Sequence, residues 1–214
     1  MEFLTDALQS YCELHSSDES ELLKKLNRTT YAQVLQPRML SGHLQGRFLS
    51  MVSALVKPKS ILEIGTYTGY SALCLAEGLA EGGKLITIDV NPELEDLVNH
   101  FVKEAGFENK IQMIIGDAYQ IIRTLPQTFD LVFIDADKAS YSKYFDLVIE
   151  KVPSGGIILA DNVLWSGKVV DEKSLVNDKD TQLIDAFNKK VQADPRVEAV
   201  LLPLRDGMMV LRKK

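Results

Sequence analysis

Cysteine is scarce in this sequence: Cys12 and Cys74 are the only two, they lie far apart, and no CxxC pair occurs. That excludes a disulfide framework and a thiolate zinc site, and fits reduced thiols in a reducing compartment. The three histidines, His15, His43 and His100, show no metal-ligand spacing, so no imidazole chemistry is assigned to them. No stretch of 18 apolar residues is present, which excludes a spanning helix. The first ten residues, MEFLTDALQS, lack a basic stretch followed by an apolar run and do not read as a signal peptide. A cytoplasmic location is expected. Positive charge is in deficit, with Lys+Arg 24 against Asp+Glu 30, a net charge of -6 and a pI near 5.2. Such a surface repels phosphate backbones on average, so nucleic acid is a disfavoured partner, a local basic patch aside, and small molecules are the expected substrates. No repeat, low-complexity tract or linker interrupts the 214 residues, of which 46% are hydrophobic and 25% charged. One sizeable domain over 1–214 is expected.

Residues 1–56 carry helical patterning and no convincing strand. Leu4, Ala7, Leu8 and Tyr11 recur at the spacing of one helix face, and Leu40, Leu44, Phe48, Met51 and Val52 do the same after the break at Pro37. From residue 57 an α/β core follows. Apolar runs at Ile61–Ile64, Lys84–Ile88, Ile111–Ile115, Phe129–Ile134 and Ile157–Ala160 read as strands. Helical patterns at Ser71–Leu79, from Pro92, at Ala118–Leu125, Tyr141–Lys151 and Asp178–Ala193 alternate with them. Near-continuous apolar strands describe a parallel sheet covered on both faces. Val197–Leu202 and Met208–Leu211, joined by the short turn at Arg205, Asp206 and Gly207, should pair antiparallel. The expected fold is a doubly wound, mostly parallel Rossmann-like α/β sheet with an antiparallel last strand and a helical N-terminal cap.

In open parallel sheets, ligands bind beyond the carboxyl ends of the strands. Here those ends are acidic: Glu63, Asp89, Asp117 after Gly116, Asp135 and Asp161. Any one of them has a plain explanation as a cap for the helix that follows, but the whole row along one sheet edge points to a ligand site. The loop Glu63-Ile64-Gly65-Thr66-Tyr67-Thr68-Gly69-Tyr70-Ser71 offers Gly65 and Gly69 for close backbone approach. It lacks the G-x-G-x-x-G of a pyrophosphate cradle, and an acid precedes its first glycine. A nicotinamide-dependent oxidoreductase is therefore a poor fit. A nucleoside without pyrophosphate suits the loop, with Asp89 placed to accept hydrogen bonds from ribose hydroxyls.

A second cluster closes the fourth and fifth strands, Asp135-Ala136-Asp137-Lys138 and Asp161-Asn162. Adjacent strand ends lie roughly 5 Å apart, close enough for Asp135, Asp161 and Asn162 to converge. Oxygen donors without His or Cys favour a hard cation, Mg²⁺ first, with Ca²⁺ or Mn²⁺ as alternatives. Taken alone, Asp161-Asn162 reads as a turn and Lys138 as a surface lysine at a helix start; Asp135, Lys138, Asp161 and Asn162 together read as a site.

At these residues the chain resembles the cation-dependent O-methyltransferases, the class I S-adenosylmethionine-dependent family that includes catechol and caffeoyl-CoA O-methyltransferases. The strings are LEIGTYTGYS (62–71), TIDVNP (87–92), GDA (116–118), FIDADKASY (133–141), DNVLWSG (161–167) and LPLRDGMMVLRKK (202–214), with MLSGHLQGRFL (39–49) ahead of them. They run in order over 30–214; residues 1–30, which shape the substrate entrance in this family, carry no match. The resemblance implies that Glu63, Gly65, Thr66 and Ser71 line the methionine side of S-adenosylmethionine, that Asp89 holds the ribose, and that Asp117 and Ala118 border the adenine. Ser41, with Met39 nearby, would contact the cofactor from the cap, and Asp135 and Asp137 would meet its amino-acid end. Asp135, Asp161 and Asn162 would ligate the metal, and Lys138, Asn162, Trp165 and Ser166 would face the substrate.

The implied reaction is methyl transfer to one hydroxyl of a vicinal-diol aromatic small molecule of catechol or caffeoyl type. The metal would grip both oxygens, and Lys138 and Asp135 would serve as the catalytic pair, Lys138 taking or stabilising the departing proton. Trp165 stacks on an aromatic substrate in one reading and packs in the core or a dimer interface in another. The rings of Tyr67 and Tyr70 read as packing, and Lys24 and Lys25 as a solvated helix face. A homodimer is expected by resemblance. Bacterial relatives that methylate a hydroxylated uridine supply the alternative substrate, tRNA, against which the acidic pI weighs.

Overall fold

The computed structural model describes residues 5–214, which group into two compact units, Asp6–Ala118 and Tyr119–Lys214. In the first, α1 (Asp6–Leu14), α2 (Glu21–Gln33) and α3 (Gly42–Val56) precede β1 (Ser60–Ile64), α4 (Tyr70–Ala76), β2 (Lys84–Asp89), α5 (Glu95–Glu104) and β3 (Ile111–Ile115). The strands run parallel in the order β3-β2-β1, with Ile64 opposite Ile88 and Asp89 opposite Ile115. Four consecutive residues of β1 are buried, Ile61 to Ile64, as a strand covered on both faces requires.

The α2 helix falls in the region of helical patterning and carries Lys24 and Lys25 on its solvated side, as expected, although the sequence sets no bounds for it. Ser20 caps it by accepting the Leu23 N–H at 3.2 Å, and it buries Leu23, Leu26 and Thr30 at helical spacing. On α3 the helix itself matches expectation, but the buried face differs. Gln45, Gly46, Leu49 and Ser53 face inward, while Met51 is 59% exposed. The reason is close approach to α4. A Cβ on Gly46 would meet Tyr70 Cε1 at 2.6 Å and Cys74 Sγ at 2.9 Å, and Ser53 Oγ donates to the Leu75 carbonyl at 2.6 Å. Small residues stand at those two contact points because larger ones would hold the helices apart. On α1, Leu8 and Tyr11 are exposed; Leu4 lies outside the described residues.

The second unit contains β4 (Leu131–Ile134), α7 (Tyr141–Ile149), β5 (Ile157–Ala160), α8 (Glu172–Asn177), α9 (Lys179–Ala193), β6 (Val197–Leu202) and β7 (Met208–Lys213), while α6 (Ala118–Thr124) begins at the unit boundary. β4 and β5 pair in parallel, and β7 runs antiparallel to both β5 and β6. The strand order through the chain is β3-β2-β1-β4-β5-β7-β6, a mostly parallel sheet with one antiparallel strand, as expected. Asp178 caps α9 through the N–H groups of Asp180 and Thr181. Between β5 and α8 lies an irregular stretch, Trp165–Val170, in which Ser166 and Gly167 adopt non-helical angles. Both cysteines are free thiols, Cys74 buried. Among the described residues, no helix is long and apolar enough to cross a membrane.

Candidate active site

The ends of β1, β2 and β3 meet through their backbones. Gly65 N–H donates to the Ile88 carbonyl and Gly116 N–H to the Asp89 carbonyl, both at 2.8 Å. Gly65 and Gly69 take φ of +99° and +84°, angles that disfavour any side chain, so the loop turns sharply after the strand. Glu63 is fully buried. Thr87 Oγ1 donates to Glu63 Oε2, and Thr66 and Thr87 share a hydroxyl–hydroxyl bond, each at 2.5 Å. An ionised carboxylate only accepts, so the protons run from Thr66 to Thr87 to Glu63. Thr87 was not among the expected site residues; its position opposite Glu63 in the β1–β2 register was the available signal.

Asp89 is held by backbone donors. Its Oδ2 accepts the N–H groups of Thr66 at 2.9 Å and Tyr67 at 2.8 Å, and its Oδ1 accepts that of Asn91 at 2.9 Å. The carboxylate therefore holds the glycine loop in shape. Tyr67, at φ +48°, donates its hydroxyl to the Leu35 or Gln36 carbonyl at 3.1 and 3.2 Å, tying the loop to the segment ahead of Met39 and Ser41. Ser41 and Ser71 are buried, and Met39 is largely exposed. Tyr70 is buried with its hydroxyl on Glu19, a packing role as expected. The structure thus brings Glu63, Gly65, Thr66, Asp89, Asp117 and Ala118 to one edge.

In the second unit, the ends of β4 and β5 form a polar cluster around one cation. Lys138 Nζ donates to Asp135 Oδ1 at 3.2 Å, Asn162 Oδ1 at 2.8 Å and the Tyr141 hydroxyl at 2.6 Å, so all three ammonium protons are used. The Tyr141 hydroxyl in turn donates to the Asp161 carbonyl at 3.0 Å, with the Ile134 carbonyl farther off at 3.4 Å. Burial, with the charges of Asp135 and Asp161, pushes the Tyr141 hydroxyl well above its ordinary value, which keeps it a neutral donor. Asp161 is 2% exposed, and its Oδ1 accepts the Asn162 N–H at 2.7 Å. Asn162 sits at φ +57°, a left-handed position that asparagine tolerates, turning its amide back toward Asp135 and Lys138. Asp137 is exposed and accepts the Tyr144 hydroxyl at 3.0 Å.

Asp135 and Asn162 thus present oxygens to a single positive charge, and Asp161 adds a carboxylate beside them. An all-oxygen set of two carboxylates and one amide fits a hard divalent cation. Among the described residues, no group of three or more His, Cys, Asp or Glu is placed to hold a metal; this set has two such side chains, with the Asn162 amide beside them. The Trp165 ring centre lies 5.9 Å from Lys138 Nζ, and that of Tyr141 lies 4.6 Å away.

The sequence profile of the O-methyltransferase family matches residues 13–214. The chain belongs to the O-methyltransferase family. It is 35% identical to caffeoyl-CoA O-methyltransferase 2 of Populus trichocarpa, over 98% of this chain and 89% of that one. Among solved structures, it resembles the SAH-bound methyltransferase PaMTH1 of Podospora anserina at 30% identity and TM-score 0.88, covering 98% of this chain and 94% of that one. It also resembles an O-methyltransferase from Bacillus cereus in complex with SAH, at 29% identity and TM-score 0.88, covering 97% of each chain. The resemblance read from the strand-end strings is therefore borne out at the level of family. Within this O-methyltransferase, Tyr141 and Thr87 are buried hydroxyls that connect the strand-end polar residues.

Proposed function

We propose that this O-methyltransferase moves the methyl group of S-adenosylmethionine to one hydroxyl of a vicinal diphenol of catechol or caffeoyl type, assisted by a divalent cation. The carrying observation is the convergence of Asp135 Oδ1 and Asn162 Oδ1 on one cationic nitrogen at the ends of β4 and β5, beside Asp161. The caffeoyl-CoA relative supports a phenolic acceptor, and the SAH held by the two solved relatives supports the cofactor.

S-adenosylmethionine supplies an already activated methyl group, which leaves the protein to align the acceptor and favour its oxyanion. Glu63, Thr66, Asp89 and Asp117 fit that cofactor, because carboxylates and hydroxyls suit a cationic, hydroxyl-bearing nucleoside better than a pyrophosphate. Asp135, Asp161 and Asn162 would hold the cation, which when bound lowers the pKa of a coordinated hydroxyl. As the O–CH₃ bond forms and the S–CH₃ bond breaks, S-adenosylhomocysteine leaves and the hydroxyl proton passes to solvent. Lys138 meanwhile turns one Nζ–H from Asp135 or Asn162 to the reacting oxygen to stabilise its negative charge. Tyr141 keeps that ammonium at the strand ends.

The test is methyl transfer from labelled S-adenosylmethionine to catechol and caffeoyl-type acceptors, with and without EDTA. Chelation should abolish transfer and Mg²⁺ restore it, while Asp161→Ala loses metal and transfer but keeps cofactor affinity within a few fold. Transfer that survives exhaustive chelation would sink the metal assignment.

A further inference from the structure

The chain between Asn162 and Val170 is built against local preference. Trp165 and Ser166 take φ of +49° and +54°, and Gly167 follows at +77°. Two consecutive left-handed residues that are neither Gly nor Asn persist only where the surroundings hold them. The holding groups come from the β6–β7 hairpin turn. Asp206 Oδ1 accepts the Ser166 N–H at 2.5 Å, and the Asp206 carbonyl accepts the Leu164 N–H at 2.9 Å. The Gly207 carbonyl accepts the Val163 N–H at 3.1 Å. Gly207 must lack a side chain there, since a Cβ would lie 2.5 Å from Leu164 Cγ and 2.8 Å from Leu164 N. Three bonds from one turn, to the N–H groups of Val163, Leu164 and Ser166, thus template the segment leaving Asp161 and Asn162.

The product of that template is the placement of the only tryptophan. The Trp165 ring lies against Lys138, and its Nε1 is buried with no hydrogen-bond partner. A buried donor without an acceptor is unfavourable, so an unrestrained turn would release the ring toward water. We infer that Asp206 is a positioning residue that fixes the Trp165–Gly167 turn and so sets where the indole meets an aromatic acceptor. It acts through the Ser166 backbone and touches neither cofactor nor reacting atoms. The assignment rests on the methyl-transfer reading above.

The test compares full-length wild type with Asp206→Ala, which removes the acceptor, and Asp206→Asn, which keeps a carbonyl oxygen for the Ser166 N–H. Because Trp165 is the sole indole, its fluorescence reports the turn directly and needs no acceptor. In D206A the emission should shift to longer wavelength. The acceptor KM should rise about tenfold, the loss expected of one hydrogen bond to a charged group. kcat and S-adenosylmethionine affinity should change far less, and D206N should restore both readouts. Asp206→Ser, too short to reach Ser166, carries the same expectations if the alanine variant misfolds. A folded variant with unchanged emission, or with kcat reduced and KM unmoved, overturns the assignment. A wild type that methylates no vicinal diphenol sinks the functional reading instead, while the emission comparison still decides whether Asp206 sets the turn.

Discussion

Removing one buried hydroxyl tests whether the β4–β5 cluster is a coupled unit. Tyr141 is fully buried, and its ring packs edge-on against Phe187 at 5.4 Å, contacts that Tyr141→Phe preserves. The substitution deletes the acceptor that receives Lys138 Nζ at 2.6 Å and the donor that serves the Asp161 carbonyl at 3.0 Å. A hydrogen bond to a charged group contributes about 1.5–3 kcal/mol and a neutral one about 1 kcal/mol. Lys138 keeps its bonds to Asp135 and Asn162, and its side chain is 11% exposed, so little water replaces the lost partner. The expected cost is about 2.5–4 kcal/mol, or a fall of about 5–16 °C in Tm for a chain of this size. Urea unfolding of wild type, Y141F, Lys138→Met and the double variant completes a thermodynamic cycle. The coupling should reach about 1.5 kcal/mol, and additivity within about 0.5 kcal/mol would refute the idea that Tyr141 holds the lysine.

Two further perturbations probe the other unit. Asp89→Asn puts an amide NH₂ against at least one of three N–H donors; it should lower S-adenosylmethionine affinity more than about tenfold and cost about 1–3 kcal/mol of stability. Calorimetry and urea melts check both, and an intact melt with weakened cofactor would show that loop support is negligible. Gly78→Ala drives a Cβ to 2.3 Å from the Ser53 and Ala54 backbone, which cannot yield as a side chain would. It should cost about 3 kcal/mol or more, whereas Gly82→Ala, with open space and φ +71°, should cost only about 1–2 kcal/mol; equal losses by thermal melting would contradict the close packing of the chain after α4 on α3.

How much of this was legible in the sequence depended on whether burial or a tertiary partner decided the local structure. The strands β1, β4 and β5 were readable because both faces are covered and their apolar runs have no competing helical period. On α2 only the solvated face at Lys24 and Lys25 was readable; its bounds and buried face were not, because ELLKKLNRTTYAQ is mostly polar and only Leu23, Leu26 and Thr30 go inside. On α3 the apolar stripe suggested the wrong buried face, since contact with α4 at Gly46 and Ser53 selects for small size rather than hydrophobicity. The 165–170 stretch follows no local preference at all. Its angles are imposed by Asp206, forty residues farther along from Ser166, and no periodicity encodes that.

The same distinction runs through the site. A carboxylate at a strand end is visible in the sequence, but its partners are not, and the partners decide what it does. Asp89 and Asp135 read alike as strand-end acids. Asp89 proves to spend its oxygens on three backbone N–H groups, so it is a structural anchor for the glycine loop as well as a ribose candidate. Asp135 instead gives Oδ1 to the ammonium of Lys138, an exchangeable partner on a flexible stem, which leaves it available to a cation in a way that Asp89 is not. Asp137, only two residues on, is turned to the Tyr144 hydroxyl. Its expected contact with a cofactor would require that bond to be given up or shared, whereas Asp135 needs only a lysine to move. Of the two acids in the D-A-D-K string, Asp135 is therefore the one whose present partner is the more readily displaced.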